Sequence, residues 1–173
     1  MFRTAWFLFI SVATLSPVLA QDWSASIPKT ALSVRVAESP DGGLILAGFM
    51  RILSPWFVNH FSGRILNIHP ALLPAYPGLD THQRVLDAGD KWHGSTVHFV
   101  TEELDAGPLI LQGRLAVRDN ECAADLATRV QALEHQIYPA AAAMFAAGSL
   151  SFDDNCAYLD GERLLNPITE EFN

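Results

Sequence analysis

Arg64-Ile65-Leu66-Asn67-Ile68-His69-Pro70-Ala71-Leu72-Leu73-Pro74-Ala75-Tyr76-Pro77-Gly78 is the stretch on which the fold turns. A short, bulky apolar run closed by proline reads as a buried strand over Arg64–Ile68. Pro70, Pro74, Pro77 and Gly78 then interrupt regular structure, so His69–Gly78 reads as a loop. Positions i and i+2 of an extended chain share a face, which sends Asn67 and His69 the same way.

Upstream, Leu44–Ala47 is an apolar run before Gly48 and reads as another buried strand. Ser54-Pro55 supplies an N-cap and a proline at the first helical position, opening a helix to about Phe61 that Gly63 ends. Downstream, Thr81 caps a helix to about Ala88, ahead of Gly89. Ser95–Val100 and Pro108–Val117 read as strands. Asn120 caps a long helix whose apolar residues Leu126, Val130, Leu133, Ile137, Ala141 and Met144 recur in steps of three and four, giving one buried face. Pro139 is expected to kink that helix and Gly148 to close it. Leu150–Phe152 and Ala157–Leu159 are short final strands. Strands alternating with helices imply an α/β fold with a mainly parallel sheet, in which ligands bind beyond the carboxyl ends of the strands. The loop after Asn67 and the segment between Val100 and Pro108 lie at such ends, which points two separated segments toward one crevice.

The chain of 173 residues holds one domain's worth of core. Half of it is apolar and 17% charged, which excludes intrinsic disorder. Its net charge is −8, its only lysines are Lys29 and Lys91, and no basic run occurs, so nucleic acid is not an expected partner. Cys122 and Cys156 are too few for a disulfide scaffold. Met1–Ala20 has one early positive charge, a short apolar stretch, Pro17 and small residues before Gln21, the layout of a secretory signal peptide cleaved after Ala20. The apolar stretch is too short for stable membrane insertion. A buried first element and a misassigned gene start are the competing readings of these residues. Residues 21–42 read as an irregular linker with a short edge strand at Leu32–Ala37, and the domain proper as residues 43–173.

The chemistry rests on two segments. An amide donor at Asn67 beside the His69 imidazole suits oxyanion stabilisation with proton transfer. The alternative is that Asn67 caps a turn and His69 serves a loop carbonyl. Asp105 lies in the Leu104-Asp105-Ala106-Gly107-Pro108 turn. It reads either as an Asx-turn residue or as the carboxylate that orients a histidine. His98 alternates with Val97 and Phe99 on a strand and reads as a structural residue near the site; His60, His82 and His135 fall on helices. No HxxxH or HxH pair occurs, so no metal is expected.

Several motifs recur in order: Leu46-Ala47-Gly48-Phe49-Met50-Arg51-Ile52-Leu53, Asn67-Ile68-His69-Pro70-Ala71-Leu72-Leu73-Pro74, Tyr76-Pro77-Gly78, His93-Gly94-Ser95-Thr96-Val97-His98-Phe99-Val100, Leu104-Asp105-Ala106-Gly107-Pro108, Arg129-Val130-Gln131 and Glu134-His135. Residues 43–173 thereby resemble the phosphoribosylglycinamide formyltransferases, folate-dependent enzymes of purine biosynthesis. Related deformylases and methionyl-tRNA formyltransferases share the Asn-x-His core but usually lack Pro70 and the Tyr76-Pro77-Gly78 turn. The resemblance implies a Rossmann-like three-layer fold and a cytoplasmic enzyme acting on small molecules without a metal. It implies formyl transfer from the co-substrate 10-formyltetrahydrofolate to the amine of glycinamide ribonucleotide. Asn67, His69 and Asp105 would be catalytic. Met50, Arg51, Ile52 and Leu53 would hold the folate with Val100, Thr101, Glu102, Glu103 and Leu104, and Pro70 and Glu134 would contact the ribonucleotide.

Met1–Gly43 departs from that pattern. The family opens with strand–helix units carrying a glycine- and serine-rich loop that binds the substrate phosphate at a helix N-terminus. No such loop occurs here, and Asp41-Gly42-Gly43 leads into a strand. The expectation is poor turnover unless that part is supplied elsewhere, with an inactive folate-binding remnant or an exported non-enzymatic protein as the alternatives. Oligomeric state is not readable from the sequence.

Overall fold

A computed structural model describes residues 35–38, 44–47 and 53–173. The elements in order are β1 (Arg35–Glu38), β2 (Leu44–Ala47), α1 (Pro55–His60), β3 (Ile65–His69), α2 (Thr81–Ala88), β4 (Trp92–Phe99), β5 (Leu109–Ala116), α3 (Ala123–Ala146), β6 (Leu150–Asp153), β7 (Cys156–Leu159), β8 (Glu162–Arg163) and β9 (Ile168–Phe172). One sheet has the order β1-β2-β3-β4-β5-β9, and β6-β7-β8 form a second, small one. The signal-like segment and most of the linker lie outside the described residues.

The α/β architecture is the expected one, and its sheet is mixed. Parallel pairing is confined, among the described strands, to β2–β3 and β5–β9. The pairs β1–β2, β3–β4 and β4–β5 are antiparallel. The connections explain this. A parallel neighbour needs a crossover that travels the length of the sheet. The β4–β5 connection is a loop with no helix, and α2 packs on α3 rather than along the sheet, so each strand returns beside its predecessor. The strand β9 escapes the sequence reading because Thr169, Glu170 and Glu171 give no apolar alternation; it is held by pairing with β5 and by the exposed Arg114–Glu171 ion pair at 2.8 Å.

The register of β3, β4 and β5 sorts side chains onto two faces. Leu66, Ile68, Val97, Phe99, Leu111 and Leu115 share one face with Ser95 and Gly113. Against it lies the stripe Leu126, Val130, Leu133, Ile137 and Ala141 of α3, all buried as the periodicity requires. The approach is close at Gly113, where a Cβ would stand 2.6 Å from Leu133 Cδ2. The opposite face carries Asn67, His69, Thr96, His98 and Gln112. It is polar, yet His69, Thr96 and His98 are buried.

Capping differs from the sequence reading at two helices. Asp80, in the left-handed conformation (φ 57°), precedes α2, and no side chain caps it; Thr81 is already helical, with its hydroxyl buried and unpartnered. Asn120 does not cap α3. It turns the chain at φ 58°, and Cys122 occupies the cap position. The turn is held instead by the Arg118 N–H donating to Glu121 Oε2 at 3.0 Å. The helix runs on through Pro139, and Gly148 (φ 76°) follows its last turn, its N–H donating to Phe145 O. Ser54 caps α1 as expected, accepting from the Phe57 N–H.

Candidate active site

Asn67 and His69 project from β3 onto the polar face because they are two residues apart in an extended strand. The antiparallel register sets His98 of β4 opposite Asn67. The second segment reaches the site by an unexpected route. β4 runs against β3, so the chain leaving Phe99 starts at the far end of β3, where the Val100 N–H donates to Ile65 O at 3.0 Å. It must then double back. Phe99 N–H donates to Pro108 O at 3.0 Å to close the loop. Gly107 permits the closure, since a Cβ there would fall 1.8 Å from Phe99 O. The returning loop delivers Asp105 in the left-handed conformation, φ 52°, which aspartate tolerates better than most residues.

Asp105 Oδ2 lies 3.4 Å from His69 Nδ1, with both side chains under 10% exposed. It also accepts from the Gly78 N–H at 2.9 Å. His69 Nε2 stands 2.9 Å from Tyr76 O. A carbonyl only accepts, so Nε2 carries hydrogen and donates. Both ring nitrogens therefore face acceptor oxygens, and both are satisfied when the ring is an imidazolium. Asp105 Oδ1 is 4.0 Å from His98 Nε2.

The state of His98 follows by the same reasoning. Its Nδ1 is 2.8 Å from Phe99 O and must donate. Its Nε2 is 3.4 Å from Asn67 Nδ2, so in the neutral ring it accepts an amide hydrogen. Burial holds the His98 pKa below the ordinary histidine value, although the Phe99 carbonyl and Asp105 oppose the shift. A neutral His98 thus orients the Asn67 amide and leaves its second N–H available.

Glu134 reaches His69 from the other face, through Ser95. The Ser95 hydroxyl donates to His69 O at 2.7 Å and lies 2.9 Å from Glu134 Oε1. The hydroxyl hydrogen can be given to either acceptor, so Ser95 bridges the His69 carbonyl and the Glu134 carboxyl. Burial pushes the Glu134 pKa up, against the opposing pull of Ser95, His135 and His69. The loop after His69 is pinned by Thr96, which donates to Ala71 O at 2.6 Å and accepts from the Leu73 N–H at 3.1 Å. Gln112 Nε2 donates to Leu73 O and Thr96 Oγ1 at 2.7 and 3.0 Å.

The structure thus brings Asn67, His69 and Asp105 together and links Glu134 to them. Pro70 follows His69 directly. Val100–Leu104 form the outer part of the returning loop, with Leu104 56% exposed and Glu102 accepting from Asn59 Nδ2. Leu53 is half-buried ahead of α1. Met50, Arg51 and Ile52 lie outside the described residues. Sequence reasoning missed the parts played by His98, Tyr76, Gly78 and Ser95. Strand direction was the absent signal for His98, since only an antiparallel β4 sets it opposite Asn67. It also missed that His82 Nδ1 and His93 Nε2 pair at 2.9 Å behind the site. Burial lowers the His93 pKa to about 4. Among the described residues no group of three or more His, Cys, Asp or Glu could hold a metal ion, and no helix is long and apolar enough to cross a membrane.

Residues 24–142 match the family model described as formyl transferase. The chain is 56% identical over 121 residues to the phosphoribosylglycinamide formyltransferase of Escherichia coli (strain K12), covering 70% of this chain and 57% of that one. Its identity to the enzyme of the same name from Haemophilus influenzae is 48% over 121 residues, covering 70% of this chain and again 57% of the relative. The solved phosphoribosylglycinamide formyltransferase of Coxiella burnetii superposes with a TM-score of 0.67 at 52% identity, over 72% of this chain and 60% of that one. The chain spans somewhat more than half the length of the curated relatives it matches. A family model covering most of the chain and relatives of this identity together place it: the chain belongs to the formyl transferase family.

Proposed function

We propose that the chain transfers a formyl group from 10-formyltetrahydrofolate to the amine of glycinamide ribonucleotide, with Asn67, His69 and Asp105 as its catalytic residues. The observation that carries this reading is the buried His69 ring held between Asp105 and Tyr76 O, with the Asn67 amide on the same face. The amine nitrogen attacks the formyl carbon, and the carbonyl oxygen becomes a tetrahedral oxyanion. The free Asn67 N–H and the His69 cation, through the Nδ1–H that faces Asp105, stabilise that oxygen. The 3.4 Å separation leaves this N–H room to be shared with a substrate oxygen. Asp105 balances the cation and takes part in moving the amine proton, through water, to the folate nitrogen as its bond to the formyl carbon breaks. Leu53 and Val100–Leu104 would meet the folate, together with Met50, Arg51 and Ile52. Pro70 and Glu134 would meet the ribonucleotide. The small-molecule substrates and the absence of a metal requirement belong to this reading.

Its test is the disappearance of 10-formyltetrahydrofolate with and without glycinamide ribonucleotide, using the full chain. Ribonucleotide-dependent formyl loss is the expected result. No loss, or a loss indifferent to the ribonucleotide, overturns the proposal.

A further inference from the structure

The two members of the His69–Asp105 pair are gripped by one turn. Tyr76 O takes the His69 Nε2–H, and the Gly78 N–H donates to Asp105 Oδ2. Moving this turn would therefore move both partners relative to each other. The turn is not in a relaxed conformation: Tyr76 has φ 57° and Asp80, just beyond it, has φ 57°. Left-handed backbone at a non-glycine residue is unfavourable and persists only where surrounding contacts impose it.

Those contacts come from α2 and the residue after its end. Arg84 Nη1 donates to Pro77 O at 2.7 Å and to Leu79 O at 3.2 Å, spanning the turn from both sides of Gly78. Its guanidinium carbon stands 5.3 Å from the centroid of the Tyr76 ring. The Tyr76 hydroxyl donates to Asp90 Oδ2 at 2.6 Å. Arg84 and Asp90 are both exposed, so neither is fixed by the core. Among the described residues, the side-chain hydrogen bonds of both go to the turn.

We propose that Arg84 is a positioning residue for the His69–Asp105 pair, acting through the Tyr76–Gly78 turn. The inference rests on the reading that this pair does the chemistry, but its test need not. The ring Nε2–H of His69 is shielded by Tyr76 O, and its exchange with water reports whether the turn stays in place. Because Arg84 makes two charge-assisted bonds, Arg84→Met is expected to speed that exchange about tenfold or more. Arg84→Lys, which keeps a charged donor, should recover part of the protection, and the melting temperature of both should stay within a few degrees. In a chain that turns over, the same variant lowers kcat and leaves KM for each substrate within about twofold.

Unchanged His69 Nε2–H exchange in Arg84→Met overturns the proposal. So does faster exchange that is matched by a collapse of the melting transition in Arg84→Met, if Asp90→Ala, which frees the Tyr76 hydroxyl, stays folded and leaves exchange unchanged. A chain without formyl transfer whose exchange still responds to Arg84→Met would sink the functional reading and leave the positioning role intact.

Discussion

The two faces of β3, β4 and β5 are made from alternate residues of the same strands, yet they are stabilised by different physics. On one, Leu66, Val97, Phe99 and Leu111 meet α3 with essentially no exposure. Apolar burial is non-directional, so one helix with the right periodicity suffices to cover it. On the other, Asn67, His69, Thr96 and His98 are shielded by loops rather than by a helix. Each buried polar atom there needs a partner in a set direction. The loops supply them with backbone groups: Ala71 O, Leu73 N, Tyr76 O and Gly78 N. One face makes the domain stable, and the other spends its hydrogen bonds on holding a histidine and a carboxylate together.

Damage to the apolar face should therefore appear as lost stability. Leu133→Ala removes a fully buried side chain from the α3 contact and should cost about 2–5 kcal/mol in denaturant unfolding. In the folded fraction, KM for either substrate should be unchanged. Damage to the polar face should appear as lost rate. Asn67→Ala removes the proposed oxyanion donor and should lower kcat by about 10²–10³-fold, measured under conditions where the variant is folded. Gly113→Ala sharpens the contrast from the apolar side. The added methyl meets Leu133 and Ile137, and overpacking of this kind costs about 1–3 kcal/mol with no loss of rate from the surviving fold.

The smallest effect concerns pH. The His93 pKa is lowered to about 4, first by burial and then by the neighbouring His82, and the His82 pKa is lowered by burial as well. The unfolded chain takes up protons near the ordinary histidine value of about 6.5 and the folded one only below it. Stability is thus full above about 6.5 and declines as pH falls toward 4. Melting temperatures across that window should show the decline, and His93→Gln should flatten it.

Much of this could be read from the residues. The α3 stripe, the strand carrying Asn67 and His69, the Ser54-Pro55 helix start and the partnership with Asp105 follow from periodicity, turn chemistry and motif resemblance. The direction of β4 could not. It depends on α2 packing on α3 instead of crossing the sheet, a tertiary choice that the α2 residues do not announce. His98 could be read as lying near the site, but its place opposite Asn67 could not, because a strand read without its neighbour's direction has no cross-strand partner. Tyr76 and Gly78 contribute main-chain groups, for which side-chain identity gives almost no signal. β9 shows the converse limit, a strand made by pairing where the local pattern is polar.

On the proposed reading, the charge of Asp105, facing His69 across 3.4 Å, belongs to the reaction rather than to the fold. Asp105→Asn keeps the size of the side chain and an oxygen to accept the Gly78 N–H, and removes the charge, with an amide NH2 in place of the second oxygen. Its formyl-transfer rate, measured beside its melting temperature, is the direct test. A fall of about a hundredfold or more is expected, with the transition shifted by a few degrees at most. An Asp105→Asn chain that turns over at the parent rate would contradict it.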